Sequence, residues 1–454
     1  MAGRAGIFGA SLSTLARVLA ADSQFCQGLN KDALVSGITT DTRAIEPGNL
    51  FVALTGETFD GHNFAESAIA KGAIAAIVRK NVIPENASFP RLEVDDTLAA
   101  YQTLGQWWRH QCALPVIAIT GSVCKTTTKE LIAAALSTFG SVLKTQANYN
   151  NEIGVPKTLL GITQEHDYAV VEMGMRGLEE IALLSQIAQP TVGLITNVGT
   201  AHIGRLGSRE AIAQAKCELL REMPTHSTAV LNYDNDLLIS TAAKFWTGRQ
   251  ITYGLTGGDV CGEVKGDTVV VDDVEIPLPL PGRHNALNLL GAIATLQSLG
   301  LDWKKLASGF TVSMPAGRSK FHELPNDIVF LDETYNAGAE AMVAAIQLLA
   351  DEPGKRRIAV LGTMKELGEQ SVELHRQVGE AIAQKGIDQL LTLADTAEAK
   401  AMVAGAGVVP SQQFESHEAL AKYLEGTMAE GDRILFKASR SVEMDKVVDQ
   451  LLNN

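Results

Sequence analysis

The chain of 454 residues has few cysteines: Cys26, Cys112, Cys124, Cys217 and Cys261, with no CxxC pair among them. That argues against a disulfide framework or a zinc site and for a reducing compartment. Positive charge is not in excess either. The net charge is −14, which excludes a general nucleic-acid binder with its basic face. Any anionic ligand must therefore be held by local cations, helix N-termini or metal. No run approaches the roughly 20 apolar residues of a membrane span, and low-complexity segments and short repeats are absent. The opening "MAGRAGIFGASLSTLARVLAADSQ" invites comparison with a signal peptide, but Arg17 interrupts it, and Ser11 or Ser13 reads better as the cap of a short helix. The expectation is a cytoplasmic monomer that needs neither membrane nor nucleic acid.

What is present is a globular composition, 46% hydrophobic and 20% charged, in a chain too long for one core. "NLFVAL" and "AIAAIV" read as strands around the helix "HNFAESAIAKG", a small α/β unit in the first ~95 residues. The helix "LAAYQTLGQWWRHQ" leads into "ALPVIAIT", a continuous apolar run suited to a central parallel strand. "YAVVEMG", "TVGLITNV" and "TAVLN" follow, separated by helical stretches such as "REAIAQAKCELLREM". Between 251 and 281 short β segments with Gly and Asp turns predict an antiparallel edge, closed by the helix "NALNLLGAIATLQSLG". A further series, "IVFLDE", "RRIAVLG", "DQLLTLA" and "DRILFKA", again alternates with helices. This alternation marks doubly wound parallel sheets. The fold class is α/β with three domains: residues 1–95, a central P-loop-type parallel sheet over 96–312, and a Rossmann-like domain over 313–454.

"ITGSVCKTTTKE" carries the first chemical signal. A phosphate cradle needs backbone N–H groups aimed at the anion, a helix dipole behind them, a lysine, and a hydroxyl for magnesium. Gly121, Lys125 and Thr126 supply these between a strand and a helix. The longer P-loop pattern is broken, because Ile119 stands where its first glycine belongs. A bare "KTTTK" also suits an ordinary helix start. At the carboxyl ends of neighbouring strands, where ligands collect in parallel sheets, stand Glu172, Asn197 and then His202. Singly each is more often a surface or capping residue; with Thr126 they offer oxygen and imidazole ligands at one sheet edge. Lys216, His284 with Asn285, Arg318, Asp332 and Lys365 admit both a ligand role and a plain surface role.

Taken in order, "DTRAIEPGNLFVALTGETFDGHNF", "TGSVCKTTTKE", "NYNNEIGVPKTLL", "VEMGMRGLEEIALLSQIAQP", "ITNVGTAHIGRLGSREAIAQAKCELL", "PGRHNALN", "PAGR", "LDETYNAGAEAM", "LGTMKELG" and "SRSVEMDKV" span almost the whole chain. In these pieces the sequence resembles the Mur ligases of peptidoglycan synthesis, in particular those joining D-alanyl-D-alanine to UDP-N-acetylmuramoyl-tripeptide. The resemblance implies an ATP-dependent, ADP-forming ligase working through an acyl phosphate. It implies that Gly121, Ser122, Val123, Cys124, Lys125, Thr126 and Thr127, with Asn285, Arg318 and Asp332, bind ATP. Lys125, Lys216, His202 and Arg318 would be the catalytic residues. Thr126, Glu172, His202 and a carbamylated Lys216 would hold two Mg²⁺ ions, since a carbamate offers the metal an anionic oxygen where an ammonium would repel it. It further implies that Thr42, Arg43, Asp60 and His62 meet the uridine nucleotide, and Asn148 and Asn151 the substrate near the γ-phosphate. Asn336, Ser439 and Arg440 would receive the incoming dipeptide, a guanidinium being a natural partner for its carboxylate.

Three positions depart from the family pattern: "YNAG" replaces an expected "YNAN", "ASR" an expected "GSR", and Cys124 a glycine. If position 124 requires φ > 0, a side chain there costs roughly 1–3 kcal/mol. A thiol at a helix N-terminus is also expected to be unusually acidic. Two readings compete with the first. The Mur ligase that adds the third residue normally carries "DNPR" or "DDPR", absent here. A catalytically impaired paralogue that only binds the nucleotide sugar draws its support from Cys124. Folylpolyglutamate synthetase shares the central chemistry but should lack the first domain.

Overall fold

In a computed structural model residues 9–24, 31–84, 87–393 and 396–453 are described; Cys26 lies outside them. The apolar run ahead of the nucleotide loop becomes Val116–Thr120 (β1), buried at every position. It lies inside a wholly parallel sheet with Val142–Lys144 (β2), Tyr168–Glu172 (β3), Val192–Ile195 (β4), Thr228–Asn232 (β5), Arg249–Gly254 (β6) and Val260–Cys261 (β7), in the order β7-β6-β5-β4-β1-β3-β2. A strand buried on both faces needs apolar residues without alternation, which is why "VIAIT" has no polar partner at every second place. Ile117 and Ile119 face Leu131 and Ile132 of helix Lys125–Leu136 (α1) and Leu289 and Ile293 of helix Arg283–Ser298 (α3). Ala118 faces the other side, with Leu219 and Leu220 of helix Arg209–Glu222 (α2). Each such Leu or Ile removed from water contributes roughly 1.5–3 kcal/mol.

The antiparallel strands expected along 251–281 are present, but as a separate sheet. Glu263–Lys265, Thr268–Val271 and Val274–Pro277 pair only with one another, while β6 and β7 continue the parallel sheet. Asp272 and Asp273, both with positive φ, make the second tight turn, a geometry short polar side chains tolerate. Val269, Val271 and Ile276 bury against α3.

The first domain holds a five-stranded sheet in the order Asp22–Gln24, Arg91–Val94, Ala75–Arg79, Asn49–Val52, Gly37–Thr39. Ser11, rather than Ser13, caps the first helix, accepting from Thr14 N at 3.2 Å. Helix Thr97–Gln111 is shared between domains: Ala100, Tyr101 and Leu104 join the first core, whereas Trp108 and Arg109 donate to the carbonyls of Ile162 and Ala188.

The third domain has strands Lys320–Leu324 (β8), Ile328–Asp332 (β9), Arg356–Gly362 (β10), Gln389–Leu393 (β11), Ser411–Phe414 (β12) and Asp432–Lys437 (β13), ordered β8-β9-β13-β10-β11-β12. β8 is antiparallel to β9 and the other pairs are parallel. Helix Ala339–Asp351 (α4) follows β9. Of the strands that were not foreseen, β2, β8 and β12 lie at sheet edges, where short, half-exposed segments carry no strong hydrophobic pattern.

Candidate active site

Parallel register gathers the chemistry. Glu172 lies opposite Ile119 and Ile195 opposite Thr120, so Gly121, Glu172 and Thr196 emerge at the same carboxyl edge. The loop from Gly121 to Cys124 takes its shape from the end of β4. Ser122 N donates to Asn197 O at 3.1 Å, and Val123 N to Asn197 Oδ1 at 3.0 Å. Thr196 Oγ1 donates to Val123 O at 2.8 Å, and Gly199 N to Ser122 Oγ at 2.9 Å. Asn197 thus buttresses the loop rather than facing a ligand. Gly121 is required by space: a Cβ would come within 1.8 Å of Thr196 Oγ1.

Cys124 has φ 65° and ψ 6°, left-handed, and stands at the N-cap of α1 with no side-chain capping bond. This is the backbone that glycine serves without penalty, and a Cβ there costs about 1–2 kcal/mol. The expected acidity of its thiol is overturned. Cys124 keeps some accessible area, yet protein crowds it closely enough that burial pushes the thiol above its ordinary value, the effects of Lys437 and Lys125 notwithstanding. Because the strain exists with or without bound nucleotide, Cys124→Gly should first show in stability. The denaturation midpoint should rise by the equivalent of about 1 kcal/mol, the relieved strain less the backbone entropy that glycine adds to the unfolded chain. Nucleotide affinity should follow, by up to about tenfold, only as far as the cysteine relaxes the loop from its binding shape. Identical melting curves would show that the left-handed cysteine is unstrained.

Lys125 Nζ donates to Gly121 O at 2.8 Å and to Ser122 O at 3.4 Å, lying along the cradle. Burial lowers its proton affinity, opposed by Glu172 and assisted by Arg318. Thr126 Oγ1 donates to Glu172 Oε2 at 2.9 Å, and Asn150 Nδ2 to Glu172 Oε1 at 2.8 Å. A hydroxyl and a carboxylate side by side are the hard oxygen donors Mg²⁺ takes beside a nucleotide. Among the described residues no group of three or more His, Cys, Asp or Glu side chains is placed to hold a metal ion.

Behind this pair lies Lys129, 1% exposed. Its Nζ donates to Thr145 O at 2.8 Å and lies 3.1 Å from Glu130 and 3.9 Å from Glu172; Lys144 pairs with the other oxygen of Glu130. The stretch "KTTTKE" gave no hint of this burial, because a lysine on an amphipathic helix ordinarily faces solvent.

Lys216 on α2 is likewise buried at 1% exposure. Burial drives its proton affinity well below that of an ordinary lysine, and nearby Lys125 lowers it further. His202 has left-handed φ 67° at the start of the short helix Ile203–Leu206. Burial lowers its proton affinity, with Lys125 and Lys216 adding to the effect, so the neutral, ligating imidazole is favoured. Its Nδ1 lies 2.6 Å from Glu366 Oε2 of the third domain, and that carboxylate opposes the shift.

From the third domain Arg318 lies over the Tyr335 ring at 3.9 Å and is felt electrostatically by Lys125. Asp332 Oδ1 accepts from Thr334 N at 3.1 Å and Thr334 Oγ1 at 2.7 Å, and its Oδ2 lies 3.6 Å from His322 Nε2. Asn285 donates to Pro281 O at 2.8 Å, and burial lowers the proton affinity of neighbouring His284. Lys437, missed in the sequence, is buried beside Glu333, donates to Asn336 O at 2.9 Å and lies close enough to Arg318 and Cys124 to feel both.

Other expected positions are occupied with their own neighbours. His62 uses both ring nitrogens internally, Nδ1 on Asp60 at 2.6 Å and Nε2 accepting from Arg79 N at 2.9 Å. The imidazole therefore fixes the "FDGH" loop instead of facing outward. Asn151 Oδ1 accepts from Gly154 N at 2.9 Å just ahead of the helix Gly154–Leu160, while Asn150 reaches Glu172. Asn148 is exposed. Ser439 Oγ accepts from Lys365 N at 3.0 Å. Arg440 is exposed and pairs with Asp445 at 2.6 Å, and Asn336 Oδ1 accepts from Ala337 N. Arg43 grips Asp41 through two nitrogens, holding that carboxyl down to about 2, and lies near Tyr149 of the central domain. Thr42 offers its carbonyl to Lys71 Nζ at 3.0 Å.

A strand-loop-helix phosphate cradle with a threonine–glutamate pair at its exit, set between two further α/β domains, defines a nucleotide-dependent ligase of the Mur type. The chain belongs to the Mur ligase family. Residues 34–106 match the Mur ligase family catalytic domain, 119–296 the Mur ligase middle domain, and 317–440 the Mur ligase glutamate ligase domain. It is 54% identical over 424 residues to the UDP-N-acetylmuramoyl-tripeptide–D-alanyl-D-alanine ligase of Synechocystis sp., covering 93% of each chain. It is 38% identical to the Escherichia coli protein of the same name, covering 93% of this chain and 95% of that one. Among solved structures it resembles MurF from Acinetobacter baumannii, with a TM-score of 0.87, 31% identity and coverage of 98% and 99%. It also resembles MurF ligase from Thermotoga maritima in complex with ADP, with a TM-score of 0.81, 29% identity and coverage of 93% and 99%.

Proposed function

We propose that this chain joins D-alanyl-D-alanine to UDP-N-acetylmuramoyl-tripeptide, converting ATP to ADP through an acyl phosphate. The observation that carries the reading is the cradle of Gly121, Lys125 and Thr126 with Glu172, inside a chain collinear with ligases of that name. A free carboxylate cannot expel oxide, so it must first become a phosphoric anhydride. Lys125 and the N-terminus of α1 hold the phosphates, and Arg318 adds positive charge where it develops during transfer. Thr126, Glu172, neutral His202 and Lys216, carbamylated, would hold Mg²⁺. The metal would neutralise phosphate charge. Water must be kept from the acyl phosphate, and closure of the third domain over the cradle serves that end.

The domains divide the work: residues 1–95 bind the uridine nucleotide, 96–312 ATP, and 313–454 the dipeptide, in a monomeric cytoplasmic enzyme. Among the described residues no helix is long and apolar enough to cross a membrane. ATP-dependent phosphate release with both substrates tests the reading. Release that requires a single amino acid instead of the dipeptide would favour the ligase of the preceding step. Tight nucleotide-sugar binding without turnover would favour an impaired paralogue.

The placement of the uridine site has its own test. Arg43 is 87% exposed in its side chain and, among the described residues, is held by Asp41, so Arg43→Ala should leave folding intact. We expect UDP-sugar affinity to fall by about tenfold, the loss of one charge-assisted contact, with ADP affinity unchanged. Equal loss for both ligands would move the uridine site elsewhere.

A further inference from the structure

One ten-residue segment after β4 has two sets of partners. Thr196, Asn197 and Gly199 hold the nucleotide loop through Val123 and Ser122. Thr200, His202, Gly204 and Arg205 hold the third domain. Thr200 N donates to Glu340 Oε1 at 2.7 Å and Thr200 Oγ1 to Glu340 Oε2 at 3.1 Å. Arg205 Nη2 donates to Glu366 Oε1 at 3.2 Å, and Gly204 N donates to Glu366 O at 3.1 Å. The surfaces meet at glycines. A Cβ on Gly199 would stand 2.5 Å from Glu340 Oε1, and one on Gly204 only 2.4 Å from Gly368 N.

Glu340 sits in the first turn of α4, just after Gly338, whose Cβ position faces Val123 of the nucleotide loop at 3.9 Å. A carboxylate there is favoured by the helix dipole, but both its oxygens are turned outward to Thr200 across the domain boundary. We propose that Glu340 is a positioning residue: by clasping Thr200 it seats the third domain against the segment that shapes the nucleotide loop, so that docking and nucleotide-site geometry are set together. Charge-assisted bonds to a backbone N–H and a hydroxyl make the clasp directional as well as attractive. Glu340 acts through Thr200, to which both its oxygens are bound.

The inference rests on the ligase reading for its kinetic consequence and on geometry alone for its structural one, so the two are measured separately. Small-angle scattering of the full chain without substrates should show a larger radius of gyration for Glu340→Ala than for the unmodified protein. Glu340→Gln, which keeps one acceptor, and Thr200→Val, which keeps the backbone N–H donor, should both fall between them. In turnover, Glu340→Ala should raise KM for D-alanyl-D-alanine by about tenfold while ADP affinity moves less than about twofold. Thr200→Val and Glu340→Ala combined should cost no more than Glu340→Ala alone. A merely structural glutamate would lower stability without this split between the two ligands. Scattering profiles that coincide for all variants, or additive losses in the double variant, overturn the clasp. If the unmodified enzyme releases no phosphate with these substrates, the ligase reading fails while the scattering comparison still judges the clasp.

Discussion

Lys216→Ala is expected to leave a folded protein that has lost ligase turnover by about 10²–10³-fold, the scale seen when a preorganised electrostatic group is removed. Structure and chemistry agree on why. The side chain is enclosed on α2, and burial together with the charge of Lys125 favours its neutral amine. Carbon dioxide adds only to a neutral amine, so an ordinary solvent lysine would be mostly unreactive at neutral pH and this one is prepared. Among the described residues no carboxylate pairs with it, so removing it strands no counter-charge, and a helix accepts alanine readily. ADP affinity should fall less than turnover. Formate or acetate, entering the vacated space, should restore part of the rate by supplying the missing oxygens. Depleting bicarbonate should slow the unmodified enzyme. An alanine variant that turns over near the normal rate would reduce Lys216 to a buried structural amine and remove it from the metal site.

Lys129→Ala should damage stability most, by about 3–5 kcal/mol in the denaturation midpoint. The residue compensates two buried carboxylates at once, Glu130 at 3.1 Å and Glu172 at 3.9 Å, and satisfies Thr145 O. Deleting it leaves Glu130 with Lys144, and Glu172 with the neutral donors Thr126 and Asn150 and the more distant charge of Lys125. An uncompensated buried charge costs more than the ion pair itself contributes. Lys129→Met, which keeps the volume, should lose nearly as much, separating charge from packing. Because Glu172 also carries the proposed metal position, Mg²⁺ dependence of ADP binding should weaken in both variants. A loss below about 1 kcal/mol in both would mean that water replaces the ammonium without penalty.

Much of the architecture was legible along the chain because local pattern carries it. A strand buried on both faces must be continuously apolar, so "VIAIT" announced itself, and the glycine, lysine and threonine after it announced a phosphate cradle. The same logic failed where one face is wet or an edge is short. Val142–Lys144 and Ser411–Phe414 have too few apolar residues to stand out. The antiparallel segment was recognised by its Gly and Asp turns, but turn chemistry does not say which sheet a hairpin joins.

The sequence by itself therefore determined the family and the alternation of buried strands and helices, and it marked the loop after β1 as the candidate for phosphate. Tertiary structure decided which side chains meet. Thr126 and Glu172 lie 46 residues apart and become neighbours only through the register of β1 with β3. Asn197 proved to be a brace and His62 an internal strut, because packing had already claimed their polar atoms. Lys129 reads as a solvent lysine until Glu130 and Glu172 are seen around it, and nothing near Glu340 in the chain points to Thr200. Periodicity is a property of neighbours within a few residues, whereas the pairing of distant polar groups follows from how whole elements stack, and that is settled only when the core closes.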